Sequence, residues 1–253
     1  LVVAGAVLAF CVVQIQSDRA QTLRDAERDV NHLAKVVRVQ FVETLDQYEL
    51  TLTLFRILHE RHLAPQPLAL MAQTERPAPE HPPERRIDQF DRTGRFVATT
   101  DPGRADAPMS VVGRPYFEEA RAGAFTGVRL AEPQVNHGDT PIAIPIVKRL
   151  QAADGAFDGV LVSTLDPARL LTSLRGSTVS ERTSVGVVDR KGRILASTGV
   201  TAPAEADTAL ASIPPGEATM VALAGRSMLA ARAELAGGEL SVFAALDEDA
   251  IYA

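Results

Sequence analysis

Apolar residues dominate the start of the chain and then thin out into a helical pattern. Residues 1–13 form an unbroken apolar run, which is shorter than the roughly 20 residues that a membrane-spanning helix needs. No methionine or basic segment precedes the run, so it is not an intact signal peptide. We expect it to be the outer end of a transmembrane helix; a buried core helix and a signal-peptide remnant are the alternatives.

Residues 14–63 contain no glycine or proline, and their apolar positions step by three and four, as on one face of a long amphipathic helix. These seam positions are Leu23, Ala26, Val30, Leu33, Val37, Phe41, Leu45, Tyr48, Leu52 and Phe55. The pattern shifts phase at Phe41, as a stutter in a heptad repeat does. A seam of this length predicts a homodimer through the N-terminal helix. We expect part of the seam to pack on its own domain as well, so that both uses coexist.

Two stretches of the chain repeat each other, which indicates a duplicated module. Residues 90–100 (FDRTGRFVATT) recur as residues 188–198 (VDRKGRILAST), at an offset of 98 residues. Each stretch predicts a strand, an Asp-x-x-Gly turn and a returning strand. A second match joins residues 161–166 (LVSTLD) to residues 242–247 (VFAALD), at an offset of 81 residues. Two offsets in the same order predict two tandem α+β modules.

The two offsets differ by 17 residues, so the second copy is shorter between its hairpin and its last strand. The part that it lacks corresponds to residues 113–127, where a proline starts a short helix. Because only the first copy would then carry this covering helix, we expect the ligand pocket to belong to the first copy.

Six prolines in residues 64–84 mark a surface connector between the long helix and the first module. The predicted class is therefore α+β: a long N-terminal helix followed by two modules, each with a central antiparallel sheet and flanking helices. The predicted segments are 1–13, end of the transmembrane helix; 14–63, signalling and dimerisation helix; 64–84, connector; 85–167, first module; 168–182, linker helix; 183–248, second module; and 249–253, exit to a second membrane helix.

Composition and motifs narrow the classes of function. The 253 residues carry a net charge of −6, which argues against a nucleic-acid partner. The single cysteine, Cys11, excludes an intrachain disulfide. His59 and His62 share a helix face, but a zinc site of this kind needs four-residue spacing and a third ligand, so we expect no metal and no cofactor. No catalytic motif is present, which leaves an enzyme as the least favoured class.

Five residues around the covering helix are the candidate ligand-binding residues: Arg114, Tyr116, Phe117, Arg129 and Asp166. Arginine offers a planar fork of donors to a carboxylate, and a tyrosine beside it closes one side of a pocket and donates its hydroxyl. Asp166, at the end of a strand, would accept an ammonium group. The structural alternative is that Arg114 and Asp166 pair with each other and that one of the two aromatic rings belongs to the core.

The order of these motifs resembles the double Cache family, most closely over residues 87–171. The motifs are RPYF at 114–117, KRL at 148–150, GVLV at 159–162 and LDP at 165–167. The resemblance implies two PAS-like modules that form the extracytoplasmic sensor of a sensor histidine kinase, diguanylate cyclase or chemoreceptor. It also implies an inner-membrane receptor with this part in the periplasm and a small-molecule site in the membrane-distal module.

The expected ligand class follows from a departure from that family. Its amino-acid-sensing branch has a Tyr-x-x-x-x-Arg-x-Trp-Tyr run, whereas this chain has VVGRPYF in its place and no tryptophan. We therefore expect an organic acid or another small anion rather than an amino acid. The alternative function is a module without a ligand, which serves dimerisation or docks a periplasmic protein.

Overall fold

The computed structural model describes residues 2–61, 86–101, 110–135, 142–174, 182–199, 208–235 and 238–252. The predicted connector, His62 and the second half of the predicted linker helix lie outside these residues. The helices are α1 (Val2–Glu60), α2 (Pro115–Ala122), α3 (Pro167–Leu174), α4 (Thr208–Ser212) and α5 (Glu248–Ile251). The strands are β1 (Ile87–Asp91), β2 (Phe96–Thr99), β3 (Val128–Leu130), β4 (Gln134–Val135), β5 (Ile142–Gln151), β6 (Phe157–Leu165), β7 (Thr183–Asp189), β8 (Ile194–Ser197), β9 (Ala218–Leu223), β10 (Arg226–Glu234) and β11 (Leu240–Asp247).

The strands form two antiparallel sheets with the same strand order. The first sheet runs β2-β1-β6-β5-β3, with β4 also paired to β5, and the second runs β8-β7-β11-β10-β9. The predicted α+β fold, with a long helix and two related sheet modules, is confirmed. The chain divides into two compact units, Glu43–Asp166 and the discontinuous pair Leu1–Val42 with Pro167–Ala253.

The duplication extends to the side chains that form each hairpin turn. Oδ1 of Asp91 accepts the backbone N–H groups two and four residues further on, at 2.8 and 3.0 Å, and Oδ1 of Asp189 accepts the equivalent pair at 2.9 Å each. Gly94 and Gly192 complete the turns with φ of +79° and +82°, which glycine adopts without steric cost. Burial raises the pKa of Asp91, but the hydrogen bonds, including one from the Thr93 hydroxyl, outweigh it and hold that pKa below its ordinary value.

A threonine closes each hairpin in the same way. The hydroxyl of Thr100 accepts the N–H of Ile87 at 2.9 Å, and the backbone N–H of Thr100 returns a bond to the carbonyl of Ile87 at 3.0 Å. Thr198 and Val185 repeat this exchange at 3.0 and 2.9 Å. These four residues obey the same 98-residue offset as the turn, so the sequence repeat corresponds to equivalent hydrogen bonds.

The second copy contains a covering helix, contrary to the prediction from the offsets. Helix α4 lies between β8 and β9, as α2 lies between β2 and β3, but it has five residues rather than eight. Leu210 and Ile213, at 0% and 1% exposure, join the core of the second sheet. The apolar face of a sheet must be covered in either copy, and a helix of little more than one turn is too short to show a period in the sequence.

The apolar seam of α1 is buried against its own chain. Seven of its ten positions are less than 10% exposed: Ala26, Val30, Val37, Phe41, Tyr48, Leu52 and Phe55. Polar contacts join the same helix to the sheets, since Arg38 Nε donates to the Glu234 carbonyl at 2.8 Å and the buried Lys148 reaches Glu49 at 3.6 Å. Packing on its own chain is therefore confirmed for these seven positions, and the homodimer through the helix stays a prediction. Helical periodicity identifies a buried face but not its partner.

In the described part of the chain, no helix contains a segment that is long and apolar enough to cross a membrane.

Candidate functional site

The ends of α2 are set by local sequence. Arg114 is the N-cap, with extended backbone at φ −77° and ψ 131°, and Pro115 occupies the first helical turn. Proline suits this position because its missing N–H would have no partner in the helix. The helix ends at Gly123, whose φ of +75° is the left-handed C-cap conformation, and the Gly123 N–H donates to the carbonyl of Ala120 at 3.1 Å. The predicted proline-started helix is confirmed.

Both aromatic side chains of α2 face the first sheet. Tyr116 is 7% exposed and Phe117 is 1% exposed. They pack in one cluster with residues of the sheet, of α2 itself and of the segments next to them: Phe90, Val111, Ala120, Ala131, Val147, Val160 and Val162. Phe117 also meets the Phe157 ring edge to face, with centroids 5.6 Å apart. The expectation that only one ring is buried is wrong, because neighbours about 100° apart on a helix both fit within its apolar face.

Two charged side chains act on the Tyr116 hydroxyl, near the N-terminal end of α2. Burial raises the pKa of Tyr116, the Arg114 guanidinium lowers it, and the Asp88 carboxylate raises it. The net effect is a raised pKa, so the phenol stays protonated and can donate a hydrogen bond. The charges of Arg114, at the N-cap of α2, and of Asp88, on β1, therefore both act on the Tyr116 phenol.

Asp88 is a buried carboxylate that the sequence analysis missed. It is 3% exposed on β1, and it accepts Nε of Arg86 at 3.0 and 3.1 Å and the hydroxyl of Thr99 at 2.7 Å. Two charge-assisted bonds and a hydroxyl satisfy the carboxylate, as a buried charge requires. Its position in the sequence could have indicated this burial. Asp88 comes two residues before Phe90, and side chains two residues apart in a strand point to the same face, here the face toward the core.

Arg129 and Asp166 have separate surroundings. Arg129 lies on β3, opposite Val147 of β5, and its Nε is 3.4 Å from a carboxylate oxygen of Glu119 on α2. Arg129 therefore ties α2 to the sheet. Asp166 is half-buried between the end of β6 and the start of α3. The alternative pairing of Arg114 with Asp166 stays a prediction.

The described residues include no group of three or more His, Cys, Asp or Glu side chains that could hold a metal ion. His59, one of the two histidines considered as ligands, has Nε2 2.9 Å from Asp158 Oδ2, and its other ring nitrogen lies 3.3 Å from the Gln89 amide. Its ring is thus engaged in contacts between α1 and the first sheet.

Several solved structures share the whole fold. The extracellular domain of rpHK1S-Z16, named as a histidine kinase, superposes with a TM-score of 0.71 at 18% identity, over 91% of this chain and 98% of that one. The ligand-binding domain of the Pseudomonas aeruginosa PAO1 chemoreceptor PctB, in complex with L-Arg, superposes with a TM-score of 0.66 at 15% identity. The match covers 91% of this chain and 98% of that one. The ligand-binding domain of the Campylobacter jejuni chemoreceptor Tlp3, in complex with L-valine, superposes with a TM-score of 0.60 at 13% identity. The match covers 93% of this chain and 98% of that one.

No protein-family model and no curated protein sequence matches the chain. Identities of 13–18% establish a fold and no more. The chain accordingly has the fold shared by the sensor and ligand-binding domains of histidine kinases and chemoreceptors, as its resemblance to the double Cache family predicts.

Proposed function

We propose that the chain is the extracytoplasmic ligand-sensing part of a bacterial membrane signalling receptor and has no enzymatic activity of its own. Its likeness to extracellular and ligand-binding domains over almost their whole length supports this role. The receptor would lie in the inner membrane with this part in the periplasm. A kinase, a cyclase or a chemoreceptor signalling domain would serve as its output.

The proposed ligand site is at the N-terminal end of α2, on the side that faces the first sheet. The observation that carries it is the exposed Arg114 at the N-cap of α2, two residues before the buried Tyr116. The protonated Tyr116 phenol feels the charges of both Arg114 and the Asp88 carboxylate, and that carboxylate is already paired with Arg86. A cation and a neutral donor next to each other suit a carboxylate. Asp166 is the proposed partner of a second polar group of the ligand. Phe117 and Arg129 would act indirectly, by holding α2 on the sheet.

Within this site we propose a small organic acid in preference to an amino acid. Two positive groups, Arg86 and Arg114, accompany Asp88 and Tyr116 there, so the proposed site is not acidic. Amino acids are the first alternative, since the names of PctB and Tlp3 structures include L-Arg and L-valine. Asp166 would then bind the ammonium group.

Matched ligand pairs test the ligand class in a thermal-shift assay. Succinate is compared with L-aspartate, and lactate with L-alanine, since each pair differs by an ammonium group. At a hundredfold its Kd the true ligand should stabilise the protein by about 2.7 kcal/mol. We expect the acid of one pair to raise Tm more than its amino-acid partner. A larger shift with the amino acid would overturn the organic-acid assignment and retain the sensor function.

Substitution Arg114→Ala tests the site itself. Loss of a charge-assisted hydrogen bond is expected to weaken binding of the ligand by about tenfold to a hundredfold in calorimetric titration, with little change in Tm of the free protein. Arg121→Ala is the matched control, because Arg121 is an exposed arginine in the last turn of the same helix and pairs with Glu118. Equal affinities of Arg114→Ala and wild type would exclude the proposed role of Arg114.

We further propose a homodimer through α1, on a face different from the seam. Beyond the apolar N-terminal run, four large apolar side chains of this helix are exposed in the single chain: Val39, Leu50, Leu54 and Ile57, at 50%, 72%, 57% and 37%. The last three follow a spacing of four and three residues, which is the period of a helix–helix interface. The same face would serve the alternative function, a dimerisation or docking module without a ligand.

Leu50→Glu is expected to convert the dimer into a monomer, because it would bury a charge at the centre of this face. Light scattering coupled to size exclusion measures the mass. Gln21→Glu, an added negative charge at another exposed position of α1, is the control and should leave the dimer intact. A dimer that persists in Leu50→Glu would show that this face is not the interface.

A further inference from the structure

A cavity of about 390 Å³ opens at the C-terminal end of α2, within the Glu43–Asp166 unit. Its polar and charged lining residues are Arg56 of α1, Thr126 of the loop after α2, and Arg149 and Gln151 of β5. The only charged side chains among the described lining residues are the two arginines. The cavity therefore has a positive lining and offers several hydrogen-bond donors.

Arg56 enters this cavity with part of its guanidinium unsatisfied. Its Nη1 lies 3.1 and 3.3 Å from the two carboxylate oxygens of Glu60, one turn further along α1. Its Nε is buried and has no hydrogen-bond partner among the described residues. A buried donor without a partner is costly and suggests a missing acceptor.

Arg149, from β5, lines the same cavity in a fixed orientation. Its Nε donates to the carbonyl of Ala120 at 3.0 Å, near the end of α2, and its guanidinium lies 5.6 Å from the centre of the Phe157 ring. The bond to Ala120 uses one of five N–H donors. A guanidinium held in this way loses little conformational freedom when it binds an anion.

We infer that this cavity is a second site, which binds an oxyanion such as a carboxylate or phosphate between Arg56 and Arg149. It differs from the ligand site proposed above, because the eight residues of α2 separate the two by about 12 Å at the rise of an α-helix. Thr126 and Gln151 add neutral polar groups to the lining. Because one arginine belongs to α1 and the other to β5, a bound anion links the long helix to the sheet.

Two local features oppose the anion and set its expected affinity. The carboxylate of Glu60 competes for Arg56, and the C-terminal end of α2 carries partial negative charge. The Arg149 bond to the Ala120 carbonyl offsets part of that charge. Removal of the Glu60 charge should consequently strengthen binding, whereas removal of the Arg56 charge should weaken it.

The test titrates the 253-residue chain with inorganic phosphate and, separately, with acetate at constant ionic strength, and follows the cavity residues by NMR. Saturable shifts are expected with at least one probe, and the preferred probe distinguishes a phosphate site from a carboxylate site. Glu60→Gln should tighten binding about threefold, the size expected for loss of one competing ion pair, and Arg56→Gln should weaken it at least tenfold.

Arg28→Gln is the matched control, because Arg28 also lies on α1 and pairs with a carboxylate within one helical turn, Asp25, at 3.0 Å. Arg28→Gln should bind the preferred probe as tightly as wild type does. Arg114→Ala should also bind it with wild-type affinity, which would distinguish this cavity from the ligand site at the other end of α2. The inference is overturned if neither probe saturates, if Glu60→Gln weakens binding, or if Arg56→Gln and Arg28→Gln have the same affinity. Arg149→Lys, which keeps the charge but not the fork, provides a second variant if Arg56→Gln does not fold.

Discussion

Replacement of Gly159 by alanine is expected to unfold the first sheet. Gly159 lies on β6, in the middle of the sheet, between Asp91 of β1 and Leu150 of β5. Its φ is +129°, and a Cβ atom there would lie 2.1 Å from the carbonyl oxygen of Phe90 and 2.9 Å from the carbonyl carbon of Asp91. These are backbone atoms of the neighbouring strand, so no side-chain rotation relieves the clash. Strain and clash together should cost more than about 4 kcal/mol.

Urea denaturation followed by circular dichroism, with hydrogen exchange of β5 and β6 peptides, measures this loss. Gly155→Ala is the control: Gly155 also has a positive φ, +83°, but a Cβ atom there would meet nothing within 4 Å. It should cost about 1 kcal/mol, the price of a left-handed non-glycine residue. If Gly159→Ala were no more destabilising than Gly155→Ala, the close approach of β6 to β1 would be wrong.

Loss of Arg86 is expected to be the second most severe change. Arg86 donates to the Asp88 carboxylate, which is 3% exposed, and Arg86→Ala would leave that charge with the Thr99 hydroxyl alone. Breaking a buried ion pair from one side typically costs about 3–5 kcal/mol, because the remaining charge is buried without compensation. The urea midpoint should fall accordingly, and the ligand site should lose affinity because Asp88 lies near the Tyr116 phenol.

The double variant Arg86→Met with Asp88→Leu removes both charges. It therefore separates the penalty for leaving Asp88 unpaired from the net contribution of the ion pair to the free energy of unfolding. Well-packed apolar residues in place of a buried pair are often neutral or stabilising. The double variant should therefore be more stable than Arg86→Ala, within about 1 kcal/mol of wild type. If the double variant were as unstable as Arg86→Ala, apolar residues could not replace the ion pair. Burial of an unpaired Asp88 charge would then not be the cause of the destabilisation in Arg86→Ala.

Local interactions explain which parts of the fold were predictable. The Asp91 and Asp189 turns depend on bonds that span four residues, and the start of α2 depends on Arg114 and Pro115 alone. Such features depend on consecutive residues and can be predicted from a short stretch of sequence. The hairpin occurs twice at a constant offset, so two separate stretches support the same prediction. Helix α4 was missed because five residues carry too little of a helical period.

The candidate site was only partly predictable for the same reason. Arg114 and Tyr116 occupy the N-terminal end of α2, and their role in ligand binding stays a prediction. Phe117 is a core residue, and Arg129 pairs with Glu119 of α2. The inward direction of both rings depends on how closely the helix lies on the sheet, which no single stretch of sequence encodes.

The sequence by itself determined the duplicated hairpins, the α+β class, the covering helix of the first copy and the long amphipathic helix. Only the tertiary structure decided that the seam of α1 packs on its own chain and that Asp88 is buried and bonded to Arg86 and Thr99. It alone brought Arg56 and Arg149 to one cavity. The physical reason is the distance along the chain between the interacting residues. Turns, helix caps and helical periodicity depend on residues that are neighbours in sequence. Burial and charge pairing depend on which strands and helices pack together, and many side chains that are distant in sequence determine that packing jointly.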